Sequence, residues 1–288
     1  MALRVDEQPS VALLHPGDMG ASVGACLTGR GIEVGWYGLE RSPSSHERAK
    51  LAALKCHTSL ETLIADSDVI LSICPPANAA DVAQLVCPHL SDKLYVDGNA
   101  ISPRKAERIA ALVENAGAHY VDGGIIGPPV KEGSSTRLYL SGTYAATVAR
   151  MFDHSLLEVH ILEQSAFAAS TLKMCFAAWS KGSSALLLNV AALAAENGQL
   201  ETLLEQWRNS SPALLERLPR DASRNAPKAW RFVDEMLEIS QTFADAGLNQ
   251  EFHSAAADVY QRLAKFKGVT SDDVLEEVLY ALVEHERG

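Results

Sequence analysis

The stretch VALLHPGDMG, from Val11 to Gly20, joins a short apolar run to a glycine-bearing turn and then to the start of an amphipathic segment. This order predicts a strand, a turn and a helix, and the turn matches the dinucleotide fingerprint G-x-G-x-x-G with His15 in place of the first glycine. Gly17 would let the backbone approach a pyrophosphate, and Gly20 would let the helix pack closely on the strand. Glycines that serve only the turn are the alternative. The predicted cofactor-binding turn consists of His15, Pro16, Gly17, Asp18, Met19 and Gly20.

Outward from this turn, short apolar runs alternate with amphipathic segments through the first half of the chain. The apolar runs, which are bounded by Gly, Pro, Asn or Asp, predict strands at residues 11–14, 33–37, 69–74, 94–97 and 120–122. The amphipathic segments predict helices at residues 19–30, 46–54, 60–65, 79–86 and 103–116. Strands that alternate with helices predict an α/β fold with a doubly wound parallel sheet of the Rossmann type.

The composition of the chain changes near residue 160. Residues 164–197 contain no proline and follow a helical spacing for longer than an average helix. The rest of the chain also has helical spacing, interrupted by Pro and Gly. The sequence therefore predicts an NAD(P)-binding Rossmann domain at residues 1–163 and an all-helical substrate and dimerisation domain at residues 164–288.

The overall charge limits the classes of partner. The formal net charge is −11, from 36 acidic and 25 basic residues, which disfavours nucleic acid and anionic membranes. The five cysteines are scattered, without a C-x-x-C pair, and the nine histidines form no metal-binding motif. No signal peptide or membrane-spanning run is readable. These features predict a cytoplasmic protein with a small-molecule substrate, no nucleic-acid or membrane partner and no metal.

The residues after the second predicted strand bear on the choice between NAD and NADP. An acidic residue there accepts hydrogen bonds from the ribose hydroxyls of NAD, whereas an arginine there binds the extra phosphate of NADP. The chain offers Glu40, then Arg41 and Ser42, with Arg48 close behind. A guanidinium beside hydroxyls at a helix start favours NADP over NAD, and a solvated surface helix with ordinary charges is the alternative.

Several further motifs resemble those of one enzyme family. In order they are Cys74-Pro75-Pro76, Asp97-Gly98-Asn99, the run DGGIIG at residues 122–127, and a lysine, Lys173, near the start of the long helix. With the turn at Gly17, this order is similar to that of the β-hydroxyacid dehydrogenases, which include 3-hydroxyisobutyrate and 6-phosphogluconate dehydrogenases. Three further stretches, at residues 39–42, 136–142 and 173–175, resemble a poorly characterised bacterial branch.

The resemblance implies roles for particular residues. Lys173 would be the general acid/base, because hydride transfer to a carbonyl carbon leaves an oxyanion that needs a proton. The nicotinamide side would be lined by Cys74, Pro75, Pro76 and Asn99. The substrate would contact Gly124, Ile125, Ile126 and Gly127.

Two positions depart from the family pattern. Ala177 stands where the family has an asparagine, and Ile126 stands where it has a substrate-binding serine. Ser180 and Lys181, further along the same helix, are predicted to bind substrate and partly replace the asparagine, and a second cation there would depress the pKa of Lys173. An imine reductase on the same fold and a non-catalytic NADP-binding regulatory protein are the alternative functions.

The long helix also predicts a homodimer. Its apolar residues spread around more of the helix than the single stripe that one neighbour would cover. The remaining helices of the chain would have to wrap it completely if the protein were a monomer.

Overall fold

The computed structural model of the protein describes residues 9–269 and 273–283. The chain divides into two compact units, and the division falls between Met174 and Cys175. The first unit is an α/β structure and the second is helical. The boundary at residues 163 and 164 follows the change in composition and stays a prediction.

The first unit contains one eight-stranded sheet, in which the strands are ordered β3-β2-β1-β4-β5-β6-β7-β8. The first six strands run parallel, whereas β7 is antiparallel to β6 and β8 is parallel to β7. The strands are β1 (Val11–Leu13), β2 (Val34–Tyr37), β3 (Lys55–His57), β4 (Val69–Ser72), β5 (Leu94–Asp97), β6 (His119–Ile126), β7 (Arg137–Ser141) and β8 (Glu158–Leu162). The helices are α1 (Asp18–Thr28), α2 (Pro43–Leu51), α3 (Leu60–Ala65), α4 (Ala79–Val86), α5 (Pro103–Asn115), α6 (Ala145–Arg150) and the beginning of α7 (Ala168–Glu196).

The sheet is packed on both faces, which explains why its central strands are continuous apolar runs. Successive side chains of a strand point to opposite faces. Val11 and Leu13 of β1 belong to one buried cluster, and Ala12 belongs to the other. The prediction of a doubly wound Rossmann-type domain is therefore confirmed.

Three strands were not predicted, and two of them are edges of the sheet. β3 and β8 carry polar residues such as Lys55 and Glu158, because an edge strand exposes part of its surface to water. β7 alternates buried and more exposed residues, and its antiparallel direction departs from the parallel pattern of βαβ units. The predicted strand at residues 120–122 extends to Ile126 because β6 continues as the partner of β7.

The second unit is helical in its described residues, as predicted. After the remainder of α7 come α8 (Leu200–Ser210), α9 (Ala213–Asn225), α10 (Ala229–Asp245), α11 (Glu251–Arg262) and α12 (Leu275–Val283). Among residues 9–269 and 273–283, no helix is long and apolar enough to cross a membrane. The same residues contain no cluster of three or more His, Cys, Asp or Glu side chains that could hold a metal ion.

Candidate functional site

The turn between β1 and α1 has the geometry of a phosphate-binding loop. Gly17 is the N-cap of α1, and its N–H donates to the carbonyl oxygen of His15 at 2.9 Å. A Cβ on Gly20 would lie 2.2 Å from that same carbonyl oxygen, so only glycine fits where the helix passes the strand end. No side chain among the described residues caps the N-terminus of α1, which is the arrangement that phosphate-binding helices use. The residues present therefore fit a dinucleotide.

Arg48 of α2 is bonded to this loop. Its Nε donates to the carbonyl oxygen of Pro16 at 3.1 Å, and its NH2 donates to the Oγ of Ser45 at 3.3 Å. Its NH1 also lies 3.6 Å from Oδ1 of Asp18. The guanidinium thus contacts the loop backbone, so its contribution to cofactor binding would come through the loop.

Arg41 and Ser42 lie where β2 leads into α2. Ser42 is the N-cap of α2, and its Oγ accepts from the N–H of Ser45 at 3.3 Å. The Oγ atoms of Ser44 and Ser45 both lie 3.0 Å from the Oγ of Ser42. Arg41 is exposed beside this group of hydroxyls. A cation and three hydroxyls at a helix N-terminus can bind a phosphate.

The loop after β4 is held in place by Asn99. The N–H of Cys74 donates to Oδ1 of Asn99 at 2.6 Å, and Nδ2 of Asn99 donates to the Oγ of Ser72 at 3.0 Å. The buried Asn99 side chain therefore orients the loop that carries Cys74. At its other end, the Nζ of Lys105 donates to the carbonyl oxygen of Pro76 at 2.7 Å. Pro75 lies between these two fixed points.

Two groups near this loop have raised pKa values. Burial raises the pKa of the Cys74 thiol to about 12, so Cys74 is not a thiolate nucleophile at neutral pH. Burial also raises the pKa of Asp97 to about 7. The Oδ1 of Asp97 accepts the N–H of Asn99 at 3.0 Å, which ties the carboxyl to the same loop system.

Lys173 belongs to α7, and its side chain contacts the end of β6. Its Nζ donates to the carbonyl oxygen of Ile125 at 2.9 Å, and its side chain is partly buried. A Cβ on Gly124 would lie 2.7 Å from the carbonyl oxygen of Ala169 and 3.2 Å from the Cβ of Lys173. The strand and the helix therefore approach so closely that only glycine fits between them.

Ile126 and Gly127, the last two residues predicted to contact the substrate, come directly after Ile125. Ile126 ends β6 and is partly exposed. Gly127 has a φ of +131°, and a Cβ there would lie 2.7 Å from the Cα of Thr136. Gly127 is thus required by its backbone conformation and by the close passage of the segment that leads into β7.

Asp122, which sequence reasoning did not assign to the site, holds the beginning of α7. Its Oδ2 accepts from the N–H of Ser170 at 2.8 Å and from the Oγ of Ser141 at 3.0 Å, and its Oδ1 accepts from the Oγ of Ser170. The Oγ of Ser141 also accepts from the N–H of Ala169 at 3.1 Å. The signal available in the sequence was the DGG run together with a serine three residues before Lys173.

Ser180 and Lys181 belong to the helical unit. The Nζ of Lys181 lies 2.5 Å from Oε1 of Glu235 and 4.7 Å from the centre of the Phe232 ring. The Oγ of Ser180 lies 3.5 Å from the carbonyl oxygen of Ala177 on the same helix. Lys181 thus forms an ion pair with Glu235, and its action as a second cation on Lys173 stays a prediction.

The other predicted site residues lie near the carboxyl ends of neighbouring parallel strands. β1, β4, β5 and β6 are neighbours and run parallel, so their carboxyl ends lie together. Ligands of open α/β sheets bind at this edge. The loops that begin at His15, Cys74 and Gly98 leave from it, and so does the end of β6 that Lys173 contacts.

Two family models match the chain. The model described as the NAD binding domain of 6-phosphogluconate dehydrogenase matches residues 10–153, which is half of the 288-residue chain. A domain of unknown function, DUF1932, matches residues 194–263 in the helical unit.

Individual proteins are also similar. An uncharacterised 28.5 kDa protein from Methanothermus fervidus is 27% identical over 165 residues, which cover 57% of this chain and 63% of that relative. The match thus spans less than two thirds of the relative's length. A 3-hydroxyisobutyrate dehydrogenase from Mycobacterium tuberculosis, solved with L-serine, is 19% identical with a TM-score of 0.70, covering 96% of this chain and all of that one. An imine reductase from Bacillus cereus is 18% identical with a TM-score of 0.57, covering 94% and 99%. At these identities the two solved structures show a shared fold.

Proposed function

We propose that this chain, which belongs to the family that carries the NAD binding domain of 6-phosphogluconate dehydrogenase, transfers a hydride between NADP(H) and a small hydroxy or keto substrate. The match of residues 10–153 confirms the prediction of a domain that binds a nicotinamide dinucleotide. Oxidoreductase activity of the hydroxyacid dehydrogenase type is part of the proposal. The preference for NADP and the use of Lys173 as general acid/base are part of the proposal.

One observation carries the catalytic part of the proposal. The ammonium of Lys173 lies against the end of β6, at the same sheet edge as the loop between β1 and α1. This position supports a role for Lys173 as proton donor, because a dinucleotide would lie at the same ends of the strands. The same position supports the proposed substrate-binding role of Gly124, Ile125, Ile126 and Gly127.

The chemistry assigns one task to each group. A bound NADP(H) would supply or accept the hydride. The Lys173 ammonium would donate a proton to the oxygen of a carbonyl substrate, or the neutral amine would take the proton of a hydroxyl group in the opposite direction. The carbonyl oxygen of Ile125 orients the Lys173 side chain. Ile126 would make the substrate contact apolar at that position.

The choice of NADP rests on the start of α2. Arg41 and the hydroxyls of Ser42, Ser44 and Ser45 form a group suited to a phosphate. Arg48 would act on cofactor affinity through its bond to Pro16. The cofactor would further contact the turn at residues 15–20 and, on the nicotinamide side, the loop of Cys74, Pro75 and Pro76 that Asn99 holds.

We also propose a homodimer, with α7 as its centre. Five large apolar side chains of α7 are exposed, and with Ser183 they follow alternating spacings of three and four residues, which is the pattern of a helix-pairing seam. A second copy would offer the same apolar stripe and cover it. The five exposed side chains are Phe176, Trp179, Leu186, Val190 and Leu193.

The location proposed for the protein is the cytoplasm. Its five cysteines, at positions 26, 56, 74, 87 and 175, are all free, as expected in a reducing compartment. Together with the net charge of −11, this favours a small-molecule substrate and disfavours nucleic acid and anionic membranes as partners.

A substrate panel tests the proposed activity. NADPH oxidation would be followed with small keto acids, neutral ketones and cyclic imines, since Ile126 and the fold shared with an imine reductase favour imine reduction as the second candidate. Turnover of a keto compound is the expected result. Turnover of cyclic imines alone would replace the proposal with imine reduction, and no turnover of any class would favour a non-catalytic NADP-binding protein.

A further inference from the structure

Strand β6 and the first turns of α7 are joined at two points with the same spacing. Asp122 and Ile125 are three residues apart on β6, and their partners, Ser170 and Lys173, are three residues apart on α7. The first point is a carboxylate that accepts hydrogen bonds, and the second is a carbonyl oxygen that accepts from the lysine ammonium. Both contacts therefore hold the same short stretch of α7 against β6.

The contact at Asp122 is buried and has several hydrogen bonds. The side chains of Asp122, Ser141 and Ser170 are all at most 1% exposed. The carboxylate accepts from the backbone N–H and the hydroxyl of Ser170 and from the hydroxyl of Ser141. Such a network holds the helix start in one place, because a buried partner that was left unpaired would cost free energy. A negative charge is also favourable at the N-terminus of a helix.

The close packing at Gly124 makes this arrangement stiff. A Cβ at Gly124 would collide with the carbonyl oxygen of Ala169 and crowd the Cβ of Lys173. The helix therefore lies directly on the strand between the two joined points. A small shift of the first turn would change the distance between the Lys173 ammonium and the Ile125 carbonyl.

We propose that Asp122 is a positioning residue, which fixes the first turn of α7 through Ser170 and so holds the Lys173 ammonium on the carbonyl oxygen of Ile125. Ala177, one turn further along α7, has no polar side-chain group for this task. The inference rests on the proposed function only in that Lys173 is taken to be the general acid/base. The contact itself is a property of the substrate-free protein.

The reactivity of Lys173 measures its position without any turnover. The full-length chain and its variants would be treated with a limiting amount of acetic anhydride at several pH values from about 6 to about 10. Acetylation of Lys173 would then be quantified by mass spectrometry. A lysine side chain that is held in a hydrogen bond against a carbonyl is less available to the reagent than a released one. Asp122→Asn and Ser170→Ala are therefore expected to increase the acetylation rate at neutral pH by about three- to tenfold, the equivalent of one hydrogen bond.

Thr171→Ala is the matched control, because it also deletes a hydroxyl from the first turn of α7 but at an exposed position whose Oγ1 bonds only back to Phe167 among the contacts described. Lys173 should be acetylated in Thr171→Ala at the same rate as in the wild type. Melting temperature and NADPH binding identify a variant that fails to fold, and if Asp122→Asn fails, Ser170→Ala carries the test. Unchanged Lys173 reactivity in the folded variants, or an equal increase in Thr171→Ala, overturns the proposal.

Kinetics separate this inference from the proposed function. With any substrate found in the panel, Asp122→Asn and Ser170→Ala should lower kcat by about tenfold and leave KM for NADPH unchanged. If the wild type turns over no substrate while acetylation of Lys173 responds as expected, the positioning role stands and the proposed function fails. If kcat falls without any change in Lys173 reactivity, Asp122 has another role.

Discussion

The guanidinium of Arg48 donates from Nε to the carbonyl oxygen of Pro16 at 3.1 Å, so helix α2 is bonded to the loop between β1 and α1. Arg41, seven residues earlier, is instead exposed beside the hydroxyl of Ser42. The two arginines that follow β2 are therefore expected to affect cofactor binding in different ways.

Arg41→Ala is expected to weaken NADP(H) at least about tenfold and to leave NAD(H) nearly unchanged, because only NADP carries the phosphate that the guanidinium would bind. Fluorescence titration with both cofactors measures this difference. If Arg41→Ala weakens both cofactors equally, or neither, then Glu40 is the better candidate for the ribose contact and NAD is the cofactor.

Arg48→Ala is expected to weaken NAD(H) and NADP(H) by the same factor, of about three- to tenfold, since it removes the hydrogen bond to Pro16 in the loop that both cofactors share. The same titrations measure it, with Lys50→Ala on the exposed part of α2 as a control. Loss of affinity for NADP(H) alone would mean that Arg48 leaves Pro16 and binds the phosphate directly.

Gly17 and Gly20 should respond differently to alanine. Gly20→Ala is expected to lower the melting temperature by several degrees and abolish cofactor binding, because its Cβ would lie 2.2 Å from the carbonyl oxygen of His15. Gly17→Ala should leave the melting temperature unchanged, because its nearest neighbour would lie at 3.4 Å in the His15 side chain, and should weaken cofactor binding. Equal melting temperatures for the two variants would contradict the assigned geometry.

Asp97 should make the stability of the protein depend on pH. Burial raises its pKa to about 7 from an ordinary value of 3.8, so the folded protein holds a proton that the unfolded chain loses. The contribution to the free energy of unfolding therefore falls as pH rises from about 4 to about 7. Relative to the wild type, Asp97→Asn should gain on the order of 2 kcal/mol between pH 5 and 8.

Urea unfolding at several pH values measures this difference. Asp81→Asn, which removes an exposed carboxylate on α4, serves as the control and should show no such gain. A constant difference between Asp97→Asn and the wild type across this range would show that Asp97 is ionised throughout.

The exposed stripe on α7 gives a test of the dimer. Leu186→Glu combined with Leu193→Glu should convert a species of about twice 31.0 kDa into one of 31.0 kDa, because four carboxylates would face each other in the seam. Light scattering at micromolar concentration measures the mass. Leu51→Glu, at an even more exposed leucine of the first unit, is the control. A single species of 31.0 kDa for the wild type would refute the dimer.

The sequence predicted those parts of the fold that local patterns encode. The run from Val11 to Gly20 indicated a strand, a turn and a helix because burial on both faces requires a continuous apolar run and the close approach requires Gly20. The edge strands β3 and β8 were not predicted, since their polar residues are also typical of a loop. The predicted helix at residues 46–54 begins at Pro43 because the cap at Ser42 precedes the apolar spacing.

The site was predictable only where a motif or a resemblance marked it. Lys173 came from the resemblance, and the structure places its ammonium at the end of β6. The pairing of Asp122 with Ser170 joins positions 48 residues apart, and no local periodicity encodes such a pair. For the same reason the sequence did not indicate that Glu235 would compensate the charge of Lys181.

Hydride transfer with Lys173 as the proton donor can be followed by deuteride transfer from 4-deuterated NADPH. With a carbonyl substrate from the panel, the wild type and the exposed-lysine control Lys131→Ala should place deuterium on the carbinol carbon at the same rate. Lys173→Ala should do so about 10²- to 10⁴-fold more slowly with unchanged NADPH affinity. Retention of most of the rate in Lys173→Ala would contradict this role of Lys173.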